Sequence, residues 1–572
     1  MTRRLSTLGL AAIICAFAIT VGGASASSEA ASGRAAAATS SGQAGAAATS
    51  IGHAAAAASK PVNGGILRAG EATNPDHLDP ALSYTTESWE MLQATNNGLV
   101  GFAPAAGAAG NNVVPILATA LPTVSNHGRT YTFHMHTDAK FSPPVNREVE
   151  PSDVKFSIER LFRANSPGLG YYGEIAGSAR YAKTRKGGIS GIVANDKTHT
   201  IVFHLTQPDG TFLEYLAMPF AFIVPTGTPN GDISTNSKWR VATGPYMISQ
   251  YVPNSHITIV RNPNFHSWSR YVPAGHLSGI DVTVGVSPDQ AVNEIADGQL
   301  HWYFEAVAPD RLAEVKARYP SQVHQYTRNA LLYFSLNMRK APFNNVLVRK
   351  AVNYAVSRQA LVKIFGGQGT PAENLLPSGI AGYSAHHFYP HNMARAKQLV
   401  AKSHTKGMAV QIWASGTDPQ PAAAQYMASV LDSLGYKASV KTFNESIYYD
   451  TVSNEATNPQ VSYNEWDQDF PEGDDFIEGL TDGAEISKTG NNDTANFNVP
   501  AITAKINAAK RMPLGAKRDA AWAALDAKIM RDYAPYVPFM DRSFPKFESA
   551  KLHGQVFNPT FYELFPSMSL TK

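Results

Sequence analysis

The densest chemistry in the chain lies in one stretch, Tyr463-Asn-Glu-Trp-Asp-Gln-Asp-Phe-Pro-Glu-Gly-Asp-Asp-Phe-Ile-Glu-Gly-Leu480, where carboxylates alternate with aromatic rings. Carboxylates at this density suggest a cation site. Asp467, Asp469 and Glu478 stand at positions 1, 3 and 12 of a twelve-residue loop, the register of an EF-hand. Pro471 at position 5 and Glu472 where the sharp turn needs glycine argue against calcium. For Asp474, Asp475 and Glu478 the expectation is a solvated acidic face. His386, His387 and His391 form a second cluster that could ligate a metal. No cysteine or ordered carboxylate accompanies them, so solvated histidines and no metal are expected. The chain has no Gly-x-Ser-x-Gly elbow, no His-Glu-x-x-His, no phosphate loop and no cysteine nucleophile, so nothing points to an enzyme or a cofactor.

Such residues need a frame. Leu331–Met338 is an apolar run short enough for a buried strand, ended by Pro342, which has no N–H to give a ladder. Asn345 can cap a helix whose Val348, Ala351, Val352, Ala355 and Val356 share one face. Met408–Trp413 and Leu277–Gly285 read as further strands, and 532–547, rich in aromatics and proline, is unlike a free tail. Strand, turn and capped helix fit an α/β fold.

The wording of 333–358 adds more. Leu336-Asn337, Pro342-Phe343, Val348-Arg349, Tyr354-Ala355 and Arg358 closely resemble the signature of the peptide/nickel-type (family 5) extracellular solute-binding proteins that serve ABC importers. The likeness runs in one order from Gly64-Gly65 and Leu78-Asp79-Pro80 through Val114-Pro115, Lys140-Phe141-Ser142, Ser152-Asp153, Thr243-Gly244-Pro245-Tyr246 and Asn262-Pro263 to about Phe565. The sequence departs from the pattern at Asn345 and Leu347, where Asp and Arg are usual, and at Gly473, where proline is usual.

That resemblance implies an α/β fold of two lobes, of the periplasmic-binding-protein type (class II, large peptide-binding), with a subdomain inserted in the first lobe. The first lobe would take 60–98, 206–280 and 532–572, the insert 99–205, and the second lobe 281–531. It also implies capture of an oligopeptide or similar small solute in the cleft, hinge closure, and delivery to ABC permease subunits by a monomer. A peptide-sensing surface receptor, or a non-peptide ligand such as a nickel chelate or oligosaccharide, stays open. By resemblance Asp469 holds the ligand's α-amino group and Trp466 packs on the ligand. A carboxylate in a cleft that closes over an ammonium makes a charge-assisted bond where water competes poorly. Further contacts are expected from Tyr84 and Thr86, which are equally readable as loop residues, from Tyr171 and Tyr172 at the cleft mouth, and from Tyr448, Trp413, Gly244, Tyr246 and Asn337.

Outside this frame, Arg3-Arg4, the apolar Leu5–Val21 and Ala24-Ser25-Ala26 read as an export signal cleaved after Ala26. Ile14 before Cys15 argues against lipidation. The tract 27–59, rich in Ala, Ser, Gly and Thr, reads as a flexible tether that keeps the protein near the cell surface. The mature chain then has no cysteine and holds together by its core, for which 44% hydrophobic residues suffice. Loss of Arg3 and Arg4 takes the formal charge from +3 to +1, which gives no case for nucleic acid.

Overall fold

Strand Val323–Leu336, which contains the apolar run, is the spine of a six-stranded mixed sheet. In the computed structural model, which describes residues 62–571 apart from Asn458, the strand order is Gly369–Pro371, Tyr536–Phe547, Val323–Leu336, Val461–Asp467, Ala409–Ser415, Lys437–Phe443. Leu332, Phe334 and Leu336 face one core, while Leu331 and Tyr333 face another. A strand buried on both faces must be apolar at every position, which explains a run without alternation. The proposed export segment and tether lie outside the described residues.

Helix Val346–Ala355 follows as the spacing predicts, and Asn345 caps it, its side chain accepting from Leu347 N–H at 2.9 Å. Asn345→Ala should cost about 1 kcal/mol in urea unfolding, and Asn345→Asp should cost nothing, because a carboxylate also caps and suits the helix dipole. An unchanged midpoint for the alanine variant would show that the cap is idle.

The first lobe holds a five-stranded sheet in the order Trp302–Tyr303, Ile66–Glu71, Gly279–Val284, His256–Arg261, Tyr246–Val252. Ile66–Glu71 runs parallel to both of its neighbours. Leu67, Ile257, Ile259, Ile280 and Val282 build its core, which the tail closes with Phe557, Phe565 and Met568. The insert is a four-stranded antiparallel sheet, Thr123–Ser125, Thr130–His134, Thr200–His204, Ile192–Asn195, beside helix Pro151–Ala164. That helix starts on a reciprocal cap between Glu150 and Asp153, with proline at its first position. Its Arg160 meets Asp79 of the Leu78-Asp79-Pro80 loop through paired bonds of 2.7 and 2.6 Å, both side chains fully buried.

Strand pairing moves two lobe boundaries. Gly279–Val284 and Trp302–Tyr303 pair with Ile66–Glu71, so the chain enters the second sheet at Val323 and not at Asp281. Tyr536–Phe547 belongs to the second sheet, so the return to the first lobe comes after Phe547 and not at Asp532. Partners more than 200 residues apart decide both points, and local pattern carries no trace of them.

Candidate ligand-binding site

Asp469 follows strand Val461–Asp467 of the second lobe, and two hydroxyls from the other side of the molecule meet it. Tyr84, just after Leu78-Asp79-Pro80, and Tyr171 of the insert each donate to Asp469 Oδ2 at 2.8 Å. The carboxylate is 8% exposed, and burial raises its pKa to about 6 against the lowering effect of the two hydroxyls. Its partners include no cation. Behind it, the Asp469 N–H donates to Asp475 Oδ2 at 3.0 Å, and burial holds the Asp475 carboxyl well above its usual range.

The next residue, Phe470, crosses the gap. It packs edge-on against Tyr171 at 5.8 Å and Tyr215 at 5.2 Å, inside the core cluster of the insert. Beside it, Arg518 reaches Asp474 at 3.1 Å and Glu472 at 3.3 Å, and Thr211 donates to Asp474 at 2.7 Å. The lobes therefore touch along 469–475. Asp474, Asp475 and Glu478, expected on a solvated face, are instead drawn inward. Gly473–Thr481 is a helix, and distant cations, Arg518 for Asp474 and Lys510 for Glu478, neutralise it. Gly473 also has a packing reason, since a Cβ there would lie 2.6 Å from the Trp522 ring.

Close to Asp469 in sequence, Asp467 is met by a residue that an irregularity in the sheet re-aims. The ladder between Val323–Leu336 and Tyr536–Phe547 slips between Thr327 and Leu331, and Arg328 sits in the slip. Bulges re-aim side chains. Arg328 turns to Asp467 at 2.6 Å and to the Tyr562 hydroxyl, with its guanidinium over the Tyr562 ring at 4.5 Å. Arg328 Nε and Asp467 Oδ1 stay buried without a partner. Arg542 pairs with Glu465 two residues before Asp467 on the same strand. Tyr449, 41% exposed, lies within electrostatic reach of Glu465 and Asp467.

Trp466 is half-buried against the cluster of Phe476, Ile477 and Leu480, three residues from Asp469. Thr86 opens helix Thr86–Thr95, partly exposed. Six expected contact residues lie elsewhere. Tyr172 is fully buried and donates to Tyr215 O at 2.7 Å. Tyr448 is fully buried and donates to Tyr463 O at 2.6 Å. Tyr246 is buried beside Leu277, and Gly244 lies so close to the end of helix Thr86–Thr95 that a Cβ would meet Ala94 O at 2.8 Å. Asn337 donates to Pro459 O at 3.0 Å inside a turn. Trp413 is 7% exposed, bonded to Gln411 and packed on Phe443 at 4.7 Å, beside a surface groove with Lys340 and Gln460. His386 is not solvated either, for its side chain stacks on Phe388 at 4.4 Å and approaches Asp526 at 3.5 Å. His387 and His391 are exposed.

The family model for bacterial extracellular solute-binding proteins, family 5 (middle), matches residues 112–488. The chain belongs to that family. Heme-binding protein A of Haemophilus influenzae is 28% identical over 524 residues, covering 87% of this chain and 91% of that protein. The dipeptide-binding protein of Escherichia coli is 28% identical over 409 residues, covering 66% of this chain and 71% of the other. Among solved structures, clavulanic acid biosynthesis oligopeptide binding protein 2 superposes with a TM-score of 0.82 at 21% identity, covering 89% of this chain and 96% of that one. The periplasmic binding protein DppA of Helicobacter pylori, in complex with a peptide, gives 0.76 at 22%, covering 89% and 99%. These structures share the two-lobed fold.

Sequence reasoning about this family 5 protein missed Arg328, Glu465, Arg542 and Tyr449, and weighed Asp467 only as a calcium ligand. One signal was available: Arg328 is the one Lys, Arg, Asp or Glu of strand Val323–Leu336 and stands just before its apolar half. Another was hidden in the tyrosine pairs. Of Tyr171-Tyr172 and Tyr448-Tyr449, one member of each is fully buried in the core, while Tyr171 reaches Asp469 and Tyr449 is exposed. Adjacent positions point in different directions, and sequence does not say which.

Proposed function

We propose that this family 5 protein captures a peptide with a free amino terminus between its lobes, holds that terminus on Asp469, and delivers the peptide to an ABC permease as an exported monomer tethered near the cell surface. The supporting observation is the state of Asp469, a buried carboxylate bonded to hydroxyls from two other parts of the chain and short of a counter-charge. An α-ammonium supplies that charge. Arg328 Nε and Asp467 Oδ1 offer one unspent donor and one unspent acceptor, the complement of a peptide unit. The names of the relatives, dipeptide-binding and di/tripeptide-binding among them, agree with this reading. The chemistry is binding, with closure as the output. Ligand contacts to Tyr84 and Tyr171 on one side and Asp469 on the other exist together only in the closed form, so ligand shifts the population toward it.

Titration calorimetry of trialanine against N-acetyl-trialanine tests the reading, and the free amine should bind far more tightly. The pH dependence has a definite sign. Burial raises the Asp469 pKa to about 6, so below pH 6 the ligand-free carboxyl is protonated and cannot hold an ammonium. Affinity should be highest between about pH 7 and 7.5, fall by up to about tenfold per unit below 6 as Asp469 takes up a proton, and fall again above about pH 8 as the ligand's α-amine loses its own. For folding the same shift runs the other way. The folded pKa lies above the unfolded value, so the penalty for the buried charge is present above pH 6 and vanishes as pH falls toward 4. Affinity that is level from pH 7.5 to 5 would remove Asp469 from the amine-binding role.

A further inference from the structure

The carboxyl edge of the first-lobe sheet is lopsided in charge. Glu71 ends strand Ile66–Glu71, Glu305 follows Trp302–Tyr303, and Glu87 lies in the first turn of helix Thr86–Thr95. The two strands are parallel neighbours, Gly70 opposite Tyr303, so Glu71 and Glu305 leave the sheet at its carboxyl edge. Open α/β sheets bind ligands in the crevice outside that edge. We propose that Glu71, Glu87 and Glu305 form an acidic pocket that takes a cationic side chain of the ligand, so that the protein selects peptides carrying lysine or arginine. This rests on the peptide reading above and names the substrate class within it.

Glu71 is fully buried and neither of its carboxylate oxygens has a hydrogen-bond partner. Glu305 Oε1 accepts from Ala72 N–H at 2.8 Å, while Oε2 has no partner. Glu87 is partly exposed and accepts from the Thr86 hydroxyl at 3.4 Å; burial raises its pKa, while hydrogen bonds from its own N–H and from Thr85, and the charge of Arg328, act against the rise. Burial raises the Glu71 pKa well above the carboxylate range, and Glu87 and Glu305 raise it further. The same causes, burial and then Glu87, push Glu305 to about 7. Glu90 adds a fourth carboxyl near Glu71, with Oε1 on Glu563 N–H at 3.0 Å and Oε2 unpartnered.

The cations within reach are engaged elsewhere. Lys546 binds Glu563 at 3.0 Å and the carbonyls of Tyr303 and Phe304. Arg328 binds Asp467 and Tyr562. Burial without a counter-charge holds these carboxyls toward their neutral form, and an entering ammonium or guanidinium favours the ionised form while bonding to the free oxygens. A bare metal ion fits less well, because among the described residues no group of three or more His, Cys, Asp or Glu has ligating geometry. Position agrees too. Glu87 follows Tyr84 by three residues, within about 11 Å of extended chain, and the Tyr84 hydroxyl touches Asp469. One peptide can place its amino terminus on Asp469 and a nearby basic side chain in the pocket.

The test is calorimetry on alanine tripeptides with lysine at each position in turn, each matched with norleucine at the same position. One register should favour lysine by about tenfold or more. Glu87→Gln, a partly exposed site that keeps the fold, should bring that ratio toward one. Asp469→Asn should weaken both members of the pair and keep the ratio. If trialanine and the norleucine peptides bind and lysine gains nothing in any register, the acidic pocket is wrong and the peptide reading stands. If no peptide binds but 1,5-diaminopentane does, and Glu87→Gln abolishes it, the peptide reading is wrong and the pocket stands. If neither peptides nor the diamine bind, both fall.

Discussion

Asp79→Ala should destabilise the folded chain by about 3–5 kcal/mol, because it strands the Arg160 guanidinium in the interior without its partner. The pair is fully buried, and its bonds reach further than each other. Asp79 also accepts from Ala81 N–H at 3.0 Å and Ile233 N–H at 3.3 Å, and Arg160 donates to Pro229 O at 2.6 Å. One ion pair thus ties the loop after the first strand, the insert helix and the segment around Pro229 together. Arg160→Ala should cost about as much, and the double variant clearly less than the sum, since both single changes report the same uncompensated charge. Urea midpoints for the three variants decide it. Strictly additive costs would mean that the two side chains do not act as a pair.

Asp469→Asn should weaken a peptide with a free amino terminus by about 2–5 kcal/mol, the usual effect of removing one partner of a buried charge pair. An N-acetylated peptide should lose far less, having no ammonium to hold. The asparagine oxygen still accepts from the hydroxyls of Tyr84 and Tyr171, which lie 2.8 Å from Oδ2, so the lobe contact survives. The ligand-free variant should be no less stable at pH 7.5, where the wild-type carboxylate is ionised against its burial. Equal losses for both peptides would assign Asp469 a role in closure alone. Loss of stability without loss of binding would make it a structural residue.

Several devices were legible in the sequence because they are local. The apolar run at Leu331–Leu336 reads as a buried strand, since burial on both faces leaves no room for alternation. Asn345 reads as a cap because its side chain can satisfy an N–H only two residues on, at Leu347. The family signature led to Asp469, and Asp469 is where Tyr84 and Tyr171 converge. Spacing and composition carried these, and no distant residue could have changed them.

What stayed hidden was whatever depends on a remote partner. Asp474 read as solvated and is buried, because Arg518, 44 residues on, and Thr211, 263 residues before it, neutralise and bond it. Tyr448 and Tyr449 look alike in sequence, yet one fills the core under Trp413 and the other is exposed. Arg328 reaches Asp467 and Tyr562 because the ladder with Tyr536–Phe547 slips beside it. The sequence alone therefore determined the buried strand, the Asn345 cap and the two-lobed family. Tertiary structure alone decided which charges are paired, which tyrosine of each pair is buried, and where the chain crosses between lobes. Those outcomes are free-energy balances between burial and long-range pairing, and one partner's sequence carries only half of each balance.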